Sequence, residues 1–312
     1  MQRVKRNVNE EKSPHEGENG SYSALNPFRW VQFLTERAPP IVFFLLASGP
    51  CLSGLQIVEG RIEWIKFLFA LFAELVLLLT VRIMDDVKDY ELDCKIHPER
   101  PLPRGLLKYD DVVVAINLVL AAMILYAVIL GVWFSPSAGI TFGIQVFYSF
   151  LMYIEFGIGE WLEPRVFLYA VTHQVSIYFG AWFICALAGA PWYSWSGFLL
   201  GSVAFSGFFT YEICRKLDPT LPLKKGTYLV VYGKWITFLV VCVTVLVGVV
   251  SSYFLHIHWL LWPMEAFMIL SLLVLFLIQK PVPKTKTHKP VEALAIIYIL
   301  LHMWAGFIAS FW

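Results

Sequence analysis

Long apolar stretches separated by polar connections run through the chain from residue 39 to its end. Each stretch is close to the length of about 20 residues that crosses a bilayer core of roughly 30 Å. The composition agrees, because 58% of the residues are hydrophobic and only 15% are charged, against about 25% in soluble domains. The pattern predicts an all-α polytopic membrane protein with nine transmembrane helices, at residues 39–58, 62–84, 112–134, 138–157, 165–187, 196–214, 235–255, 259–279 and 291–311.

The charged residues give this arrangement an orientation. With the N-terminus in the cytoplasm, 22 of the 24 lysines and arginines lie on the cytoplasmic side, and only Arg61 and Lys66 lie opposite. Loops rich in Lys and Arg stay in the cytoplasm. Residues 1–38 are polar and cannot bury enough apolar surface to fold alone, so we expect a disordered cytoplasmic tail followed by one transmembrane domain over residues 39–312.

The most informative polar segment follows the second predicted helix, where five carboxylates lie within residues 85–93. In a helix, Asp86, Asp89 and Asp93 share one face. They would also stand at a helix C-terminus, where further negative charge is unfavourable. Hard divalent cations with oxygen ligands and a substrate phosphate fit such an arrangement, although a solvated surface segment is the simpler interpretation. We predict a Mg²⁺ site here.

Cations near these carboxylates suggest what the metal accompanies. Arginine side chains bind phosphate oxygens through two parallel hydrogen bonds, so Arg100 and Arg104 suit a diphosphate, although anchoring by positive charge explains them too. A second polar segment ends the sixth predicted helix. Its candidate metal ligands and diphosphate-binding cations are Glu212, Arg215, Lys216 and Asp218. The spacing of Glu212 and Lys216 is also that of an ordinary helix salt bridge.

Polar side chains also occur inside the predicted helices, where they are expensive and tend to face a cavity. The adjacent pair His173 and Gln174 is the best candidate for a cavity wall, with His173 as an acceptor-binding or proton-accepting group. A satisfied hydrogen bond between helices is the alternative for each of them. The others are Glu74, Asn117, Gln145 and Glu265.

The segment from Asp86 to Asp93, followed by Arg100-Pro-Leu-Pro-Arg-Gly105, resembles the first aspartate-rich motif of the UbiA superfamily of intramembrane prenyltransferases. Asp85 stands where that family usually has Asn, and it still supplies an oxygen ligand. Two elements depart from the family: the second aspartate-rich motif is Glu212-Ile-Cys-Arg-Lys216, and the Tyr-x-x-x-Lys element is Tyr148-Ser-Phe-Leu-Met152.

This resemblance implies that Mg²⁺ bound by the first motif bridges to a prenyl diphosphate, with the prenyl chain in a cavity open to the lipid bilayer. It implies prenyl transfer to an acceptor, which we expect to be aromatic. The same superfamily includes terpene cyclases, in which the substrate's own double bonds capture the cation. A cation transporter is a third and more remote hypothesis. The net charge of +1 gives no information about a polyanionic partner, and we expect no nucleic acid.

Overall fold

The computed structural model describes residues 26–217, 228–278 and 289–312, and throughout these ranges the chain forms helices joined by turns. The predicted all-helical membrane class is confirmed. The helices in chain order are α1 (Pro27–Arg37), α2 (Pro40–Glu59), α3 (Trp64–Lys88), α4 (Tyr90–Ile96), α5 (Tyr109–Trp133), α6 (Pro136–Tyr153), α7 (Gly159–Leu162), α8 (Val166–Gln174), α9 (Ser176–Leu187), α10 (Trp195–Arg215), α11 (Tyr228–Phe254), α12 (His258–Ile278) and α13 (Lys289–Ala309).

Within the described ranges, 8 helical stretches are long and apolar enough to cross a membrane. They match eight of the predicted segments, and α8 and α9 together form one of them because they meet at Val175. Helix α6 covers the remaining predicted segment but is not among the eight, and its buried residues include Thr141, Gln145 and Ser149. The number of nine spans and the cytoplasmic N-terminus stay predictions.

Helix α1 corrects the predicted tail, because Pro27–Arg37 is helical although the sequence assigns residues 1–38 to a disordered segment. Asn26 caps the helix by accepting a hydrogen bond from the Phe28 backbone N–H at 3.0 Å, which satisfies an N–H that has no partner within the helix. Phe33 is fully buried and gives this short polar helix an anchor. Residues 1–25 of the predicted tail lie outside the described residues.

Buried apolar side chains form two large clusters. The first draws on α2, α3, α5, α6 and α9, and the second on α10, α11, α12 and α13. Helix α10 packs against α9, α11 and α13. Of its apolar stretch of 18 residues, 72% is buried, the highest fraction among the eight candidate spans. It is therefore the central helix that connects the two halves, and the principal cavity opens beside it.

Candidate active site

A cavity, which we call the main cavity, lies between α2, α3, α6, α9 and α10, with Met303 of α13 on one side. The space between its lining atoms is ≈ 750 Å³, including the part open to the surroundings. Apolar side chains such as Leu77 and Phe208 form most of the wall, so the cavity suits an apolar ligand. The polar side chains that line it are Glu74, Gln145, Ser149 and Ser176.

A smaller pocket adjoins the main cavity at the end of α3, and Val81 and Ser149 line both. We call it the mouth pocket. It brings together a carboxylate, an ammonium and an imidazole that sequence spacing alone does not group. Its remaining lining residues are Met84, Asp85, Lys88, Met152, Tyr153 and His173. A charged pocket and an apolar cavity thus share part of their walls.

Neighbouring aspartates at the end of α3 face different surroundings, because consecutive helix residues point about 100° apart. Asp85 lines the mouth pocket. Asp86 is only 5% exposed and accepts hydrogen bonds from Arg37 Nη2 at 2.5 Å and from Arg82 Nη2 at 3.1 Å. Asp86 therefore points toward α1 and its charge is already balanced, whereas the shared face of Asp86, Asp89 and Asp93 stays a prediction.

The arginines predicted to grip a diphosphate are also engaged with protein carboxylates. Arg100 Nη1 lies 2.6 Å from both carboxylate oxygens of Asp93. Asp93 is only 3% exposed. Arg104 donates to Glu36 of α1 at 2.7 and 2.9 Å. The Arg104 guanidinium lowers the pKa of Glu36 through these hydrogen bonds. These pairs position α1 and the segment after α4.

Two carboxylates at this end of the bundle are poorly balanced. Asp85 lies 3.8 Å from Lys88 Nζ, and its side chain is 44% exposed. Asp89 is exposed and forms no ion pair with any residue that the structure describes. The protein atoms around its carboxyl group raise the pKa of Asp89, and the nearby Asp93 carboxylate adds to the rise. Such a site favours the arrival of a cation.

The donor set suits Mg²⁺ rather than a metal bound by protein alone. No group of three or more His, Cys, Asp or Glu residues in the described ranges stands close enough to hold a metal ion. Mg²⁺ commonly binds through one or two carboxylates, retained waters and substrate phosphates. Asp85 and Asp89 fit that requirement, whereas the oxygens of Asp86 and Asp93 already accept hydrogen bonds from arginines.

A chain of polar contacts extends from Asp85 across the mouth pocket. Lys88 Nζ donates to the Tyr169 hydroxyl at 3.3 Å, and that hydroxyl donates to Glu155 at 3.2 Å. The Tyr169 ring stacks on the His173 ring with centroids 4.1 Å apart. Sequence reasoning missed Lys88, Tyr169 and Glu155, although the spacing of Asp85 and Lys88 by three helix residues was a usable signal.

His173 is the predicted polar residue that does line the mouth pocket. Its Nδ1 lies 2.8 Å from the backbone oxygen of Tyr169, and because a carbonyl only accepts, Nδ1 is the donor. Nε2 is buried and makes no hydrogen bond of ordinary geometry in the described structure, although the Met152 backbone lies near the imidazole ring. In this tautomer Nε2 carries a lone pair and can accept a proton.

The second predicted segment does not present a free carboxylate in the described residues. Glu212 lies 2.6 Å from both Arg215 Nε and Lys216 Nζ. The predicted routine helix salt bridge is thus present, and the Glu212 charge is balanced. Asp218, the other predicted metal ligand of this segment, lies outside the described residues.

Comparison with known proteins agrees with this architecture. A sequence model described as the UbiA prenyltransferase family matches residues 47–309. The fold is similar to a solved structure described as "Structural and mechanistic insights into the biosynthesis of Digeranylgeranylglyceryl phosphate synthase in membranes", with a TM-score of 0.59 and 17% sequence identity. The similarity covers 92% of this chain and 97% of that chain. The chain has no match among curated protein sequences.

Proposed function

The chain belongs to the UbiA prenyltransferase family, and from that premise we propose that it ionises an allylic prenyl diphosphate with the help of Mg²⁺ and transfers the prenyl group to an acceptor. The observation that carries the proposal is the contact between the charged mouth pocket and the apolar main cavity. A prenyl diphosphate has the same polarity, with an anionic head on an apolar chain. The mouth would face the cytoplasm.

Charge at the mouth supports binding of the diphosphate. The Lys88 ammonium would contact the phosphate oxygens, and it lies between Asp85 and the Tyr169 hydroxyl. Asp85 and Asp89 would hold Mg²⁺, whose charge favours departure of pyrophosphate. The ammonium group would balance the same negative charge as it develops, which is electrostatic stabilisation of the transition state.

Breaking the bond between C1 of the prenyl chain and the diphosphate oxygen leaves the electron pair on pyrophosphate and a cation on the chain. Tyr153 lines the mouth pocket, and its ring face can stabilise a nearby cation. We propose that an aromatic acceptor attacks C1 and then loses a proton. His173 Nε2 is placed to accept that proton, since it has no hydrogen-bond partner in the described structure.

The direct test uses purified protein in lipid nanodiscs with geranyl, farnesyl or geranylgeranyl diphosphate, Mg²⁺ and a panel of aromatic acceptors. We expect prenylated product and pyrophosphate in equal amounts, and neither when EDTA removes the metal. Pyrophosphate release with a cyclic product and no acceptor would replace transfer with cyclisation. Absence of any diphosphate-dependent reaction across the panel would contradict the proposal.

Variants at the mouth test the assignment of residues. We expect Asp85→Asn and Asp89→Asn each to reduce turnover by at least about 100-fold, the scale on which single charge-stabilising groups act. Glu91→Gln is the matched control, because Glu91 is an exposed carboxylate of the same acidic run that does not line the mouth pocket. Full activity in both aspartate variants would remove the metal site from this location.

A further inference from the structure

Glu74 and Gln145 form a polar pair in the wall of the main cavity. Glu74 belongs to α3 and precedes Asp85 by three helical turns, which is about 16 Å at ~1.5 Å per residue. The chemistry proposed at the mouth pocket therefore assigns no role to this pair. Polar groups at membrane depth are expensive and tend to mark functional sites.

The hydrogen bonding of this pair is incomplete. Gln145 Nε2 donates to Glu74 Oε2 at 3.1 Å. Glu74 Oε1 and Gln145 Oε1 are buried and have no hydrogen-bond partner in the described structure. Gln145 as a whole residue is only 4% exposed. Buried polar atoms without partners are rare and costly. Both orphan atoms are acceptors, so the group that would complete the pair is a hydrogen-bond donor.

Gly180 of α9 allows this helix to approach the pair closely. A Cβ atom at this position would lie 2.8 Å from Gln145 Nε2 and 3.2 Å from Glu74 Oε1. Gly180 also lines the main cavity, together with apolar residues such as Ile177 and Ala181. The orphan oxygens themselves are buried, so a ligand in the cavity would reach them through a movement of the Gln145 side chain, while the rest of its surface contacts apolar side chains.

We infer that Glu74 and Gln145 form a subsite that binds a hydroxyl or amino group of an otherwise apolar ligand. Under the function proposed above, that ligand is the acceptor of the prenyl group. The identity of the ligand therefore rests on the proposed function. The ligand's donor completes the hydrogen bonds of the pair, so a molecule of the same shape without a donor leaves both acceptors buried and unpaired. Selectivity for a donor is the property that distinguishes this subsite from a purely structural contact.

The test measures binding of two matched probes, 4-dodecylphenol and dodecylbenzene, to the protein in nanodiscs, with empty nanodiscs as the reference. We expect the native protein to prefer the phenol by about 10- to 100-fold, the effect of pairing a buried acceptor. Glu74→Leu and Gln145→Met should reduce that preference to less than about 3-fold, because each removes an acceptor. Asn117→Leu is the control and should retain the preference, since Asn117 is exposed on α5 and donates to the Val113 backbone of its own helix.

Two further variants separate the possible failures. Glu74→Gln keeps an acceptor of similar shape and should retain most of the preference, so it provides the test if Glu74→Leu fails to fold. Asp85→Asn should lose pyrophosphate release yet keep the phenol preference, which distinguishes failure of the subsite from failure of the proposed function. An unchanged preference in folded Glu74→Leu and Gln145→Met, as expected if ordered water alone pairs these atoms, would overturn the inference.

Discussion

The two halves of the bundle each contain a buried glutamate in a long apolar helix, and the two glutamates have different surroundings. Glu74 of α3 lines the main cavity and has only the Gln145 amide as its polar neighbour. Glu265 of α12 is 1% exposed and lies 3.5 Å from His302 Nε2, a side chain that is fully buried. One carboxyl group faces space that a ligand can enter, whereas the other faces a closed core.

The glycines beside the two carboxyl groups show the same difference. A Cβ at Gly180 would meet the mobile end of Gln145 next to the main cavity. A Cβ at Gly248 would lie 2.6 Å from Ser206 Oγ and 2.8 Å from Glu265 Oε1, and Gly248 itself is buried. Both glycines allow close packing of helices, and Gly180 differs in that it also lines the main cavity.

Accessibility therefore decides how a buried acid is used. Around Glu265 the polar groups lie close to one another: the His302 and Tyr298 rings lie 4.0 Å apart, and the Tyr298 hydroxyl lies 3.0 Å from Ser206 Oγ. The Glu265 oxygens make no hydrogen bond in the described structure, as is true of Glu74 Oε1, but Glu265 does not line the main cavity. Such a cluster holds helices α10, α12 and α13 together. Glu74 instead lines the main cavity, where on our inference a ligand supplies the missing donor.

The largest effect that separates the two regions should come from His302→Leu. It leaves the Glu265 carboxylate without its imidazole neighbour, and removal of one partner of a buried pair typically costs about 3–5 kcal/mol. We expect a loss of that size in the free energy of unfolding, measured by detergent titration. Gln145→Leu is the matched change in the open region and should lose less than half as much. Equal losses would show that both pairs are structural.

Steric filling of the two glycines should give the next effect. Gly248→Ala should lower the free energy of unfolding by about 1–3 kcal/mol, the usual cost of overpacking a closed core. Gly180→Ala should cost less than about 1 kcal/mol, because Gln145 can move into the cavity. Thermal unfolding in nanodiscs compares the two variants directly, and a larger loss for Gly180→Ala would reverse our assignment of the open and closed regions.

Removal of the open glutamate should have a smaller effect on stability. Glu74→Leu should change the free energy of unfolding by about 1 kcal/mol, since it leaves one amide group of Gln145 unpaired beside a cavity. Its effect on phenol binding should nevertheless be clear. A loss of stability as large as that of His302→Leu would mean that Glu74, too, holds helices together.

The smallest effect should come from an exposed ion pair, which sets the lower limit for the comparison. Arg104 lowers the pKa of Glu36, so the pair stabilises the fold above the ordinary glutamate pKa of about 4.3, and its contribution is lost as the pH falls through the lowered value. Arg104→Ala should therefore differ slightly from the native protein at neutral pH and match it in acid. Unfolding midpoints at several pH values check this, and a difference that grows in acid would contradict it.

Much of the fold could be predicted because hydropathy reports helix length and number directly. The apolar segments at 39–58 and 62–84 became α2 and α3 with small changes at their ends. Helix α1 was missed because Pro27–Arg37 is polar overall, and side chains such as Phe33, Arg37 and Glu36 bind it to the bundle. Those contacts come from residues distant in the chain, which a local pattern does not contain.

The candidate site was predicted only in part. The acidic run from Asp85 to Asp93 was recognised, but the sequence grouped Asp86 with Asp89 and left Asp85 in a lesser role. In the structure Arg37 and Arg82 form ion pairs with Asp86, while Asp85 faces Lys88 in the mouth pocket. Which face of a helix meets a cavity depends on its rotation against its neighbours.

The sequence by itself determined that this is a helical membrane protein of a prenyltransferase family, since apolar length and a local motif are properties of consecutive residues. It predicted the same two alternatives, a cavity wall or a hydrogen bond between helices, for three intramembrane polar residues. Only the tertiary structure decided that Asn117 faces outward, Glu265 is sealed in a core and Glu74 faces a cavity. The reason is physical: hydropathy is set residue by residue, whereas access to a cavity is set by the packing of several helices at once.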